Sequence, residues 1–292
     1  MWELQAPPKY KSEICSRLQV FQADSLGDIG TSLWSVAAAL GRSIGAGRPL
    51  RVAAGWRHVK HEHCKQGEFD CYFEDFTSCD ANQEAPHLTW EEDGVLESVI
   101  GSLSPQRMAQ SEGRADILSL SSIPSEFKAN GTLWFMAHAM RYVMRPGRRL
   151  DLLMREAKRA AGFRGGAVIG MHVHEGCVRV KDLQEYVTAA LVMHTRYGVD
   201  RVFVVADSPV VLSRLRRMNA SFEWTTFSNQ PIADNPRLVT ETALLGMVMM
   251  SECDFLIGRF STSFLRTVFL LSVADKGFVA PYIGLDGPYR WS

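Results

Sequence analysis

In the second half of the chain, short continuous apolar runs alternate with longer stretches whose apolar residues recur at helical spacing. Residues 167–173 (Ala-Val-Ile-Gly-Met-His-Val) and 201–206 (Arg-Val-Phe-Val-Val-Ala) are unbroken enough to read as buried strands. Residues 182–197, 209–218, 240–250 and 263–271 read as helices, with further strands at 222–227 and 255–257 between them. Strands alternating with helices predict an α/β, doubly wound parallel sheet. In such a sheet ligands sit beyond the carboxyl ends of the strands. Here that places residues 172–179, Asp207-Ser208-Pro209 and residues 259–263 around one candidate site.

The first half is less regular. Residues 18–22 form a short apolar strand candidate, followed by the glycine-containing turn Asp24-Ser-Leu-Gly-Asp-Ile-Gly30. An alanine- and leucine-rich helix over 32–46 and a strand over 49–54 complete a β-turn-α-β unit. The turn lacks the third glycine of a dinucleotide fingerprint and fits a tight βα connection equally well. Residues 57–125 are polar and irregular, with loops and short helices expected. Helices are predicted over 131–144 and 150–161; Arg145-Pro-Gly147 separates them, and Phe163-Arg-Gly-Gly166 ends the second. Two α/β lobes follow, residues 1–160 and 161–292.

Composition narrows the classes. Lys+Arg and Asp+Glu are both 32 in 292 residues, so there is no basic surplus for general nucleic-acid binding and no polybasic membrane patch. The opening Met-Trp-Glu-Leu-Gln-Ala-Pro-Pro-Lys lacks the basic start and apolar stretch of a signal peptide. The longest apolar helical candidates, 243–250 and 268–273, fall well short of the ~20 residues a membrane span requires. Six cysteines occur, three of them (Cys64, Cys71 and Cys79) in one polar stretch. A local bridge such as Cys71–Cys79 in an oxidising compartment and ordinary free cysteines are both open readings.

The chemistry-bearing residues cluster where the topology puts them. His172 and His174 alternate along a strand and are expected to face opposite sides, so His172-Val-His-Glu-Gly-Cys177 is a poor metal set and no metal is expected. His58, His61 and His63 beside Cys64 match no zinc spacing and read as a solvated loop. Asp207, at the end of a strand, either binds a ribose or sugar hydroxyl or a base edge, or caps the following helix ahead of Pro209. Arg259-Phe-Ser-Thr-Ser263 precedes a helix, where hydroxyls and unpaired amides suit a diphosphate; simple N-capping by Ser261 or Ser263 is the alternative.

Four stretches together resemble the α-1,6-fucosyltransferase family, including its rhizobial Nod-factor relatives. They are Gly30-Thr-Ser-Leu-Trp through Arg48-Pro-Leu-Arg-Val52; Trp134-Phe-Met-Ala-His-Ala-Met-Arg-Tyr-Val-Met-Arg-Pro146; Gly162-Phe163 with Ala167-Val-Ile-Gly-Met-His-Val173; and Thr240-Glu-Thr-Ala-Leu-Leu-Gly246 with Cys253-Asp-Phe255 and Phe260-Ser-Thr-Ser263. The resemblance implies a two-lobed glycosyltransferase-B-like fold with an acceptor-side N-terminal lobe and a Rossmann-type C-terminal lobe that binds the donor. It implies inverting, metal-independent transfer of L-fucose from GDP-fucose to a GlcNAc of an N-glycan core or related oligosaccharide, in the Golgi lumen. The partners implied are a nucleotide sugar and a glycan acceptor, with no nucleic acid, no cofactor and no membrane segment in this chain.

The resemblance also implies roles. Gly30, His172, Tyr186, Asp207, Ser261 and Thr262 stand at retained positions. Asp207 contacts the guanine or the strand-end pocket; Ser261, Thr262 and Ser263 bind the diphosphate; Tyr186 and His172 shape the sugar site; Glu175 is a candidate base. The chain departs from the family where an arginine follows His-Val, for His174 stands there. That arginine holds the donor phosphate with a planar fork that an imidazole does not copy. Arg179 and Lys181 are the nearby substitutes, and Ser208 replaces a frequent second aspartate. A glycan-binding descendant without catalysis, or a transferase using another donor, are the alternative readings.

Overall fold

The computed structural model describes residues 11–21, 28–56, 58–62, 64–65, 67–75, 77–79, 87–88, 123–162, 165–174, 180–206, 208–227, 235–287 and 289. The chain divides into two compact units, one running to Arg149 and the other from Leu150 to Arg290. Among the described residues, no helix is long and apolar enough to cross a membrane.

The first unit is built on short elements. Helix α1 (Lys11–Cys15) leads into β1 (Gln19–Phe21), α2 (Ile29–Gly45), β2 (Leu50–Val52) and β3 (His87–Leu88), followed by α3 (Gly131–Val143). The strands form a parallel sheet in the order β2-β1-β3. Asp28 caps α2, its Oδ1 accepting the Thr31 amide at 2.7 Å. The helix therefore starts before Gly30, and Gly30 is a buried helical residue rather than part of the turn. The low bulk of Ala37, Ala38 and Ala39 keeps most of α2 buried, and Gly41 faces the Phe135 ring of α3.

Disulfides staple this unit. Cys15 pairs with Cys79 and Cys64 with Cys71, so the local Cys71–Cys79 bridge, one of the two open readings, does not form. Cys71 ends a 3-10 turn (Phe69–Cys71) that folds back on the short His61–Cys64 pairing. Cys79 instead packs with Cys15 and Leu18. The segment around His58 is only partly solvated, with Lys60, Glu62 and Lys65 exposed and His58 and His61 half-buried. Trp56 stacks on Phe69 at 5.6 Å and Phe69 on Phe73 at 4.6 Å, while His61 Nε2 hydrogen-bonds the Tyr72 hydroxyl at 2.7 Å.

The second unit carries the larger sheet. After α4 (Arg148–Ala160) come β4 (Ile169–Val173), α5 (Val180–Tyr197), β5 (Arg201–Ala206), α6 (Pro209–Met218), β6 (Glu223–Thr225), α7 (Pro236–Glu252), β7 (Phe255–Gly258), α8 (Ser263–Lys276) and β8 (Tyr282–Gly284). All strands are parallel, in the order β6-β5-β4-β7-β8. The terminal strand β8 has no counterpart in the sequence reading. Every residue of β4 and β7 is buried, which explains their unbroken apolar runs. A Cβ at Gly170 would lie 2.7 Å from Met250 Cγ, so only glycine lets the end of α7 approach the central strand this closely. Asp254 then clamps β4 to β7, its carboxylate accepting the Val168 amide at 2.9 Å while its own amide donates to Val168 O. Lys276 donates to the carbonyls of Ser251 and Cys253, capping the C-terminus of α7. Cys253 is buried and unbridged, and burial raises its thiol pKa, which favours the protonated thiol.

The staples differ in worth. Replacing Cys15 and Cys79 with serine opens a loop with a sequence separation of 64 and is expected to lose about 4 kcal/mol of stability; replacing Cys64 and Cys71, separated by 7, loses about 2 kcal/mol. Urea unfolding of the two double variants tests the order, and equal midpoints would contradict it.

Candidate functional site

The connection order creates the site. From β4 the chain passes to β5 and β6 on one side, then returns through α7 to place β7 on the other side of β4. Adjacent connections therefore leave the β4–β7 boundary in opposite directions, and a crevice opens beyond their carboxyl ends. A Cβ at Gly258 would lie 3.2 Å from His172 O, so the two strand ends meet closely.

On the β4 side, His172 is buried and His174 exposed, but the two do not face opposite sides as expected: two residues apart along the chain they share a face, and their rings lie 6.4 Å apart. The His172 ring stacks on Phe264 of α8 at 4.1 Å and 15°. A Cβ at Gly246 of α7 would lie 3.0 Å from the Phe264 ring, so the ring fills the space between the imidazole and that glycine. Tyr186 lies wholly within the core with Ile169, Leu183 and Val187. Glu175, Arg179 and Asp207 fall outside the described residues. Lys181 is placed in the first turn of α5. Ser208, in extended conformation, is the N-cap residue of α6 ahead of Pro209, the position considered for Asp207. Gly30 belongs to the first unit.

On the β7 side, Arg259–Thr262 forms a tight turn into α8. Thr262 is the N-cap, its Oγ1 accepting the Leu265 amide at 3.3 Å and donating to Arg259 O at 2.8 Å. Capping thus falls to the residue between the two serines considered for it. Ser261 is exposed, and Ser263 is buried at the start of the helix. Arg259 Nη2 donates to Glu185 Oε2 of α5 at 2.9 Å.

Sequence reasoning missed the group that fixes this turn. Asp286 accepts the Phe260 amide at 2.8 Å on one carboxylate oxygen and the Ser261 amide at 2.7 Å on the other. It is carried by the turn Gly284-Leu-Asp-Gly287, held by the Leu285 amide donating to Gly258 O at 2.8 Å. At Gly284 a Cβ would meet Gly287 O at 2.1 Å and the Phe260 ring at 2.9 Å, so no side chain fits there. Beneath it Arg266 is buried, its Nε donating to Phe260 O. Burial lowers the guanidinium pKa, and neighbouring Tyr289 and Asp286 oppose that shift. The Gly-Leu-Asp-Gly-Pro run reads as a turn in sequence, but its partners, 25 and 26 residues earlier, are not visible there.

Among the described residues, no group of three or more His, Cys, Asp or Glu is placed to hold a metal ion. What the strand ends offer is a hydroxyl-rich helix start, the positive end of a helix dipole and a guanidinium, the chemistry of an oxyanion site.

Comparison with known proteins agrees with this fold. The family model for alpha-(1,6)-fucosyltransferase N- and catalytic domains matches residues 119–286, more than half of the chain. The chain belongs to the α-(1,6)-fucosyltransferase family. Its fold is glycosyltransferase-B-like, with a Rossmann-type second unit. Fucosyltransferase NodZ from Bradyrhizobium is similar, with TM-score 0.58, 17% identity, and coverage of 87% of this chain and 92% of that one. POFUT1 solved with GDP gives TM-score 0.53 at 13% identity, covering 91% and 97% respectively. Arabidopsis thaliana FUT1 with GDP gives TM-score 0.55 at 14% identity, covering 92% and 75%.

Replacing Asp286 with alanine removes both acceptors at once. We expect faster hydrogen exchange at the Phe260 and Ser261 amides and a loss of about 1–2 kcal/mol, with asparagine, which keeps one acceptor oxygen, falling between. Unchanged protection of both amides in the alanine variant would show that the turn holds without the carboxylate.

Proposed function

We propose that this protein binds GDP-fucose in the crevice beyond β4 and β7 and transfers L-fucose to a GlcNAc of an N-glycan core or a related oligosaccharide, with inversion and without a metal. The observation that carries this reading is the family match, which runs through both strands bounding the crevice and through the turn into α8. The similar NodZ structure was soaked with GDP-fucose, and POFUT1 and FUT1 were solved with GDP. Inversion needs a base within reach of the acceptor hydroxyl, and Glu175, two residues beyond the end of β4, is the candidate. In a metal-free transfer the leaving diphosphate is stabilised by the helix start and by a protein cation. Two disulfides in the first unit fit an oxidising compartment and support the Golgi lumen as the place of action.

One observation favours a second reading. His174 is the residue that follows His-Val, where the resemblance implies a phosphate-binding arginine, and its imidazole gives the fold a route to a glycan-binding descendant that no longer turns over donor.

Thermal unfolding and a transfer assay separate the two. Saturating GDP, at about 100 times its Kd, should raise Tm by roughly 5–10 °C. Fucose transfer to a chitooligosaccharide or N-glycan core acceptor should appear, and Glu175→Gln should lower kcat at least ~100-fold. Glycan binding without transfer would establish the second reading; no Tm change at millimolar GDP would overturn the donor assignment.

A further inference from the structure

A nucleoside diphosphate carries several negative charges, and enclosing them between strand ends is costly unless donors or cations face them. The turn into α8 has few donors to spare. The Phe260 and Ser261 amides are taken by Asp286, the Thr262 amide donates to Arg259 O, and the Leu265 amide to Thr262 Oγ1. Arg266 is buried beneath the turn and committed to Phe260 O. Arg259 differs from it in place and in setting. It stands one residue past Gly258, at the strand end that meets His172 O, and its guanidinium is held by Glu185 at 2.9 Å.

That ion pair joins the turn after β7 to the helix after β4, so it bridges the crevice between its two walls. The side chains are 23% and 49% exposed. Pairs so exposed are weakly held, and a phosphate offers the guanidinium more charge and a better-matched fork of oxygens than a lone carboxylate.

We propose that Arg259 is the cation that grips the donor diphosphate, and that Glu185 is an internal carboxylate that occupies it until the diphosphate displaces it. The inference rests on the donor reading above and deepens it. It assigns the phosphate contact to the end of β7, on the wall of the crevice facing the end of β4.

Calorimetric titration with GDP and with guanosine tests it. Arg259→Met should weaken GDP at least ~10-fold and leave guanosine unchanged, because guanosine has no phosphate to lose. Arg259→Lys, keeping charge but not the fork, should fall between. Glu185→Gln should tighten GDP about 2–5-fold by removing the competitor. GDP affinity unaltered in Arg259→Met overturns the assignment, as does equal weakening of GDP and guanosine, which signals a distorted pocket. Weaker GDP binding in Glu185→Gln overturns the displacement, since the carboxylate would then be positioning the guanidinium. Unaltered protein that binds guanosine and GDP alike overturns this inference alone; unaltered protein that binds neither overturns the donor reading with it.

Discussion

Everything at the crevice depends on β4 being paired on both sides, with β5 along its whole length and with β7 from Ile169 to Met171. Double pairing buries the strand and fixes which residues emerge at its carboxyl end. It holds only because α7 and β7 come in close, and Gly170 is the residue that allows this, since a methyl there collides with Met250 and Cys253. The Asp254 clamp sets the near ends of the two strands in register, so their far ends meet at His172 and Gly258. A one-residue slip of β4 would exchange buried His172 with a neighbour on the other face and take the ring off Phe264. The site is therefore a consequence of register set at the opposite end of the sheet.

The two units reach stability by different means. The second has a five-stranded sheet with a continuous core, and its one described cysteine outside a disulfide, Cys253, packs as a small hydrophobe. Among its described residues the first has three strands of two or three residues each, a short ladder. Its bridges tie α1 to Cys79 and close the aromatic knot of Trp56, Phe69 and Phe73. Covalent cross-links replace the buried area that short elements cannot supply.

Much of the second unit was legible because buried parallel strands and amphipathic helices leave different periodicities. Strand β5 and helix α6 were bounded as observed, and the remaining helices differ from the sequence reading at their ends. Residues 259–263 were identified as a helix start for the same local reason. What escaped was set by contacts distant in sequence. Strand β8 is three residues, too short to show alternation, and exists because β7 offers an edge. Cysteine connectivity is not encoded locally, so the partner of Cys79 was sought among its neighbours rather than at Cys15. Asp286 and the Arg259–Glu185 pair act across separations of 25 to 74 residues, and nothing in a single sequence marks such partners. Glu175, Arg179 and Asp207 lie outside the described residues.

Two carboxylates lean on the turn between β7 and α8, and their settings give them opposite tasks. Asp286 accepts two backbone amides, so displacing it strands two donors that only an equally well-placed acceptor would satisfy. It is tied to the backbone through both oxygens and fixes the shape of the turn. Glu185 engages a side chain that has rotamers to spare, and it is itself half exposed, so water takes its place at little cost. An anionic ligand entering this crevice therefore competes with Glu185 and not with Asp286. The fixed carboxylate also lowers the positive potential at the helix start, which raises the demand on any mobile cation nearby. If Arg259 grips the donor diphosphate, that demand falls on the guanidinium at the end of β7, and its hold on Glu185 is the contact the ligand exchanges.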